Sequence, residues 1–189
     1  MKSNSHFQKL INTLKHLKDI KAGWNTIKQE TVPLVQTLTS NLNWLEDKYF
    51  TVDENAGFNG YKIHEEADHT MSIFVTAWLP QRGSPPHNHG TWAISAGVVE
   101  SETHTLWKRL DNGSQPDFAK IIKEKKYVCS PGDIITLDTD AIHSVKNETE
   151  QVAISLQIYG KHPNFTDRIQ IDPLSFTTSS FIGKEARNC

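Results

Sequence analysis

Apolar residues follow two different rhythms along this chain, and the change between them comes near residue 60. Before it, Leu10, Ile11, Leu14 and Leu17 recur at the three- and four-residue spacing that lines one side of a helix. Leu34, Val35, Leu38, Leu42 and Leu45 repeat the pattern, with Pro33 where a helix start tolerates it. From about Tyr61 the apolar runs are short. Strands are expected over 71–79, 92–99, 103–107, 121–128, 134–137 and 152–159, separated by turns at Pro80, Gly83, 111–114 and 130–133. Several short strands at this spacing imply an all-β sandwich or barrel, not a parallel α/β sheet. Residues 1–60 are expected to form a helical segment packed on the barrel and 61–189 the barrel itself, as one domain. The tail from Lys161 onward is expected to be irregular and to wrap over it.

Charge and cysteine content narrow the setting. A formal net charge of −2 gives no electrostatic reason to expect nucleic acid or an acidic membrane as partner. No apolar run is long enough to span a membrane, and the start Met1-Lys2-Ser3-Asn4-Ser5 does not read as a signal peptide. Cys129, in an expected strand, and Cys189, at the end of the chain, make no disulfide framework. A buried and an exposed thiol in a reducing cytoplasm is the expectation.

The candidate chemistry lies among the strands. His87 and His89 are one residue apart, so on a strand both imidazoles point the same way. With His143 from a neighbouring strand they would cover one side of a metal ion and leave the other side open. In 152–159, Val152, Ile154, Leu156 and Ile158 occupy one face, and Ala153, Ser155, Gln157 and Tyr159 the other. An exposed edge strand would show the same alternation. Three histidines nearby favour turning the polar row inward, towards the metal. His6, His16, His64, His69, His104 and His162 have no partner at ligand spacing and are expected to be solvated or structural.

Pro86-His87-Asn88-His89, followed by Gly132, His143 and Asn147 at Gly…His-x-x-x-Asn spacing, resembles the paired motifs of the cupins. That resemblance implies a double-stranded β-helix (jelly-roll) barrel with a metal inside. Asp138 and Asp140 stand where the second motif usually has Pro and Gly, and Ala93 and Ile94 where many cupins place a ligating Glu. The implied ligand set is therefore three neutral histidines.

Ser155-x-Gln157-x-Tyr159 behind such a site is similar to the Ser-His-Tyr row of the thiol dioxygenases, iron(II) cupins that convert a small thiol to its sulfinic acid. The family includes the cysteine and 3-mercaptopropionate dioxygenases. The resemblance implies iron(II) on His87, His89 and His143, with Tyr159 as a hydrogen-bond donor positioned by Gln157 and Ser155. Arg168 resembles the carboxylate-binding Arg of the 3-mercaptopropionate branch, and Trp92 would border the pocket. Substrates would be a carboxylate-bearing thiol and dioxygen, acting on a monomer or homodimer. The chain departs from the family in three ways. Gln157 replaces a His; no Cys lies near Ala93 for a thioether link to Tyr; and no Arg stands near Tyr61-Lys62-Ile63. Imidazole also serves manganese, nickel and zinc. Another metal cupin enzyme with a non-thiol substrate, or a non-catalytic metal or small-molecule binder, remains the alternative.

Overall fold

The computed structural model describes residues 5–183 and 187–188, so Cys189 lies outside the described residues. Helix α1 (Ser5–Asp19) buries Phe7, Leu10, Ile11, Leu14 and Leu17, the stripe set by their spacing. Helix α2 (Trp24–Ser40) starts well before Pro33, which sits inside it, and ends before Leu42 and Leu45. Its buried stripe is Ile27, Thr31, Val35 and Leu38. Thr31 can join that stripe because its hydroxyl donates to the Ile27 carbonyl at 2.6 Å. Pro33 lies on the exposed side of the helix, where its ring displaces no core packing. No helix among the described residues is long and apolar enough to cross a membrane.

Among the described residues eleven strands follow: β1 (Phe58–Glu65), β2 (Ser72–Trp78), β3 (Ala93–Val99), β4 (Glu102–Arg109), β5 (Ile121–Cys129), β6 (Ile134–Leu137), β7 (Ile142–Lys146), β8 (Ala153–Tyr159), β9 (Ile169–Ile171), β10 (Thr178–Ser180) and β11 (Arg187–Asn188). They form a six-stranded sheet in the order β11-β1-β2-β8-β3-β6 and a three-stranded sheet β5-β4-β7. The tail is less irregular than expected, since β9 and β10 pair as an antiparallel hairpin. Among the described strands only β11 pairs in parallel, alongside β1. The result is the expected all-β jelly-roll barrel, with a helical layer on one sheet.

Strand alternation assigns the two faces of the large sheet. Ile73, Val75 and Ala77, Ile94, Ala96 and Val98, and Ile154, Leu156 and Ile158 join α1 and α2 in one buried cluster. Each such Leu or Ile contributes about 1.5–3 kcal/mol by leaving water. The opposite face turns Phe74, Thr76, Trp78, Gln157 and Tyr159 into the barrel. Asn147 of the second motif is fully buried and ties the barrel end together. Its Nδ2 donates to the carbonyls of Trp78 (3.0 Å) and Gln151 (2.7 Å), and its Oδ1 accepts from the Thr149 N–H.

Candidate metal centre

His87 and His143 face each other in an antiparallel bridge: each backbone N–H donates to the other's carbonyl, at 2.8 and 2.9 Å. Opposed residues of such a pair project to the same side, and His89, two residues from His87, joins them. The 87–89 segment is not a regular strand but an extended bridge between His143 and Gln170. It is pinned by its flanks. Asn88 Oδ1 accepts the Ile169 N–H at 2.8 Å, and the Thr166 hydroxyl donates to the His89 carbonyl at 2.6 Å. Gly90 then turns with φ +62, where an added Cβ would lie 2.9 Å from Thr166 Cβ.

The three imidazoles converge. His89 Nε2 lies 3.2 Å from His87 Nε2 and 3.3 Å from His143 Nε2, and all three side chains are buried. Two nitrogens bound to one ion at about 2.0–2.1 Å stand roughly 3.0–3.4 Å apart in octahedral or tetrahedral geometry, so the spacing fits. His87 Nδ1 is 2.9 Å from the Pro85 carbonyl and donates to it, which leaves Nε2 as a lone pair aimed at the other rings. Burial holds His87 down at about pKa 4, and holds His89 and His143 well below the usual histidine range. The set is neutral, which is the ligating form. Among the described residues these are the one group of three or more His, Cys, Asp or Glu placed to share an ion.

A cavity of about 230 Å³ opens in front of the histidines, walled by Phe74, Trp78 and Phe181 and by the polar side chains of Gln157, Tyr159 and Arg168. The Tyr159 ring stands 5.1 Å from that of His89. Burial pushes its phenol up to about 12, so the hydroxyl keeps its proton and can donate. Arg168 is only 8% exposed. Its Nη2 donates to Asn164 Oδ1 at 3.0 Å and its guanidinium lies 4.5 Å from the Phe181 ring, while its Nε has no partner. No carboxylate among the described residues pairs with it, the adjacent Asp167 included. On β1, Phe58 and Gly60 face the cavity, so no cation enters from that strand.

Most of the residues expected at the site are there. His87, His89, His143, Gln157, Tyr159 and Arg168 share the cavity, and Ser155 lies buried behind Gln157. Two expectations need correction. Gln157 Nε2 donates to Ser95 Oγ and Ser155 Oγ, both at 2.9 Å, and Gln157 makes no hydrogen bond to Tyr159. Ser95 sits opposite Gln157 in the ladder and captures the amide before it reaches the next inward residue. Trp92 does not border the cavity. It shares the outer face with Ile94 by strand alternation and stacks on Trp24 at 5.3 Å between centroids.

Sequence reasoning also missed residues. His104 is fully buried against His143, Glu102 is 2% exposed, and His162 lines the cavity beside Phe74. The available signal was Glu102-x-His104, two ionisable residues on one face of a strand that is otherwise half-buried.

No described sequence family and no curated protein matches the chain. Similar solved structures include an oxalate oxidase in complex with the substrate analogue glycolate (14% identity, TM-score 0.47, covering 64% of this chain and 61% of that one). Others are DMSP lyase DddQ from Ruegeria pomeroyi DSS-3 (12% identity, TM-score 0.47, 69% of this chain and 60% of that one) and KdgF from Halomonas sp. (14% identity, TM-score 0.43, 58% and 84%). The chain thus spans about three-fifths of the length of the first two. The fold rests on its own strand order and register, and it frames a buried three-histidine cluster suited to one metal ion.

Proposed function

We propose that the protein is a non-haem iron(II) thiol dioxygenase that oxidises a small, carboxylate-bearing thiol to its sulfinic acid. The observation that carries this reading is the unpaired, buried Arg168 guanidinium in the same small cavity as three neutral histidines. A guanidinium without a carboxylate is costly to bury, and its planar fork matches a substrate carboxylate in a two-point contact. The volume of about 230 Å³ suits a molecule of a few heavy atoms, below the range of drug-sized pockets.

Three neutral imidazoles leave the charge of a dication uncompensated, so His87, His89 and His143 together select an anionic sulfur ligand. Iron(II) held there would supply open positions for the thiolate and dioxygen together, and the sulfur itself would give up the four electrons that the two oxygen atoms take. Tyr159 donates a hydrogen bond from a phenol that stays protonated. Phe74, Trp78 and Phe181 keep water from the reacting groups, and Arg168 fixes the distance of the carboxylate from the histidines. Oxygen uptake by the iron(II)-loaded protein, with cysteine, 3-mercaptopropionate and mercaptosuccinate offered separately, tests the reading. Uptake with a sulfinate product is expected for at least one. Bound iron with no uptake for any of the three would contradict it.

One observation favours a second reading. Gln157 bonds Ser95 and Ser155 instead of Tyr159, so the side-chain row behind the site differs from that of the thiol dioxygenases. A metal-dependent cupin enzyme acting on a small carboxylate without a thiol would need Arg168 and the histidines but not that row. Uptake or turnover with a non-thiol carboxylate alone would select it.

A further inference from the structure

We propose that Glu102, acting through His104, is the outlying carboxylate of the metal centre: it orients His143 and provides the negative charge that the three ligands lack. The proposal rests on the three-histidine metal site and not on the thiol reading. Strand β4 lies beside β7, with His104 opposite Val145 and Leu106 opposite His143. The ring of His104 stacks on that of His143, 5.5 Å between centroids and 25° apart, with their Nδ1 atoms 3.4 Å from each other. On its other side His104 Nε2 is 3.4 Å from Glu102 Oε2, an ion-pair distance. His104 is 0% exposed and Glu102 2%. The order Glu102, His104, His143 therefore runs from strand to strand wholly inside the protein.

Donor and acceptor rules give this order a direction. A carboxylate accepts only, so the His104 form that suits Glu102, whose Oε2 lies 3.4 Å from Nε2 without completing a hydrogen bond, carries its proton on Nε2 and keeps Nδ1 as the acceptor. His143 must then present Nδ1–H to His104, which leaves its Nε2 bare for a metal. The Pro85 carbonyl does the same for His87 in one step. His143 is served in two, and the second step ends on a charge.

That charge is otherwise unexplained. Neither oxygen of Glu102 accepts a hydrogen bond. No Lys or Arg among the described residues pairs with it, and its ladder neighbour Cys129 gives its S–H to the Asp133 carbonyl. A buried carboxylate left like this is strongly disfavoured unless a cation compensates it. A dication on the three histidines is the compensating charge the geometry offers.

Cobalt(II) alone, titrated into the full metal-free chain and followed by its visible absorption, tests this. Wild type, Glu102→Gln, His104→Phe and the buried control Cys129→Ser are compared, with the melting temperature of each metal-free protein. Glu102→Gln and His104→Phe are expected to weaken cobalt binding about 10- to 100-fold and shift its absorption bands, with Cys129→Ser unchanged. A merely structural role would lower the metal-free melting temperature and leave affinity and spectrum alone. If His104→Phe fails to fold, the near-isosteric Glu102→Gln still decides. Glu102→Gln binding cobalt within about twofold of wild type, with the same spectrum, would overturn the proposal. No cobalt binding by the wild-type protein would instead overturn the three-histidine site, and this proposal with it.

Discussion

Along β8, Ile154, Leu156 and Ile158 look outward into the helices, while Ser155, Gln157 and Tyr159 look inward towards the histidines. The strand is buried on both sides, so burial alone does not distinguish them. What distinguishes them is satisfaction. The outer face matches apolar groups with apolar groups, and every contact stabilises. The inner side of the barrel holds an unpaired Arg168, neutral imidazoles whose Nε2 atoms crowd together, and an unbonded Glu102, all of which cost stability. Such costs persist where a ligand offsets them, and that is why we propose the inner face as the binding face.

The comparison breaks if the two faces respond alike. The largest effect on stability is expected from Leu156→Ala, which empties a fully buried site beneath the helices and should cost about 2–5 kcal/mol. Chemical denaturation measures it, and cobalt affinity per folded molecule should stay at the wild-type value. A large loss of affinity would mean the helical layer and the metal site are coupled.

Acid should act on the inner face instead. The unfolded chain protonates its histidines below about pH 6.5, whereas His87 in the folded, metal-free protein resists down to about 4. Stability from this residue is therefore complete above pH 6.5 and is lost as pH falls towards 4, by on the order of 3 kcal/mol. His89 and His143 act in the same direction. Denaturant midpoints of the metal-free protein at pH 7.5 and 4.5 (about three units apart across the window) read the change. Equal midpoints would show that the histidines are already charged or hydrated in the folded state.

The smallest effect on the fold is the most telling. Arg168→Met removes a buried charge that no carboxylate balances, so the metal-free melting temperature should hold or rise slightly. The same change should raise the Michaelis constant for a carboxylate thiol by about a hundredfold, roughly 2.7 kcal/mol. An unchanged constant would place the carboxylate elsewhere.

Legibility in the sequence followed the range of the contacts. The alternation of β8 and the His87-x-His89 spacing are local, so period-two reasoning reached the inward face, whereas His143 came from the Gly132…His143-x-x-x-Asn147 spacing and meets His87 only through a long-range bridge. Tyr159 and Gln157 followed because they share that strand. Trp92 was misplaced because the chain turns at Gly90, and the alternation of β3, not nearness to His89, decides where its indole goes. Helix α2 was read as starting at Pro33 because Thr31 hides a buried position behind a polar residue type. Glu102 and His104 were missed for a different reason. Their meaning depends on the pairing of β4 with β7, a contact between residues about forty apart that no local pattern encodes. Phe181 reaches the cavity only through the path of the tail, and Arg168 does so after the turn at Pro163–Phe165.

Metal content tests the central claim most directly. Wild-type protein and His89→Ala, both saturated with iron(II) without oxygen and freed of excess ion, are compared by elemental analysis. One ion per wild-type chain is expected, and none above background in the folded variant. Equal metal in the two would contradict it, and so would a folded wild-type protein that retains none.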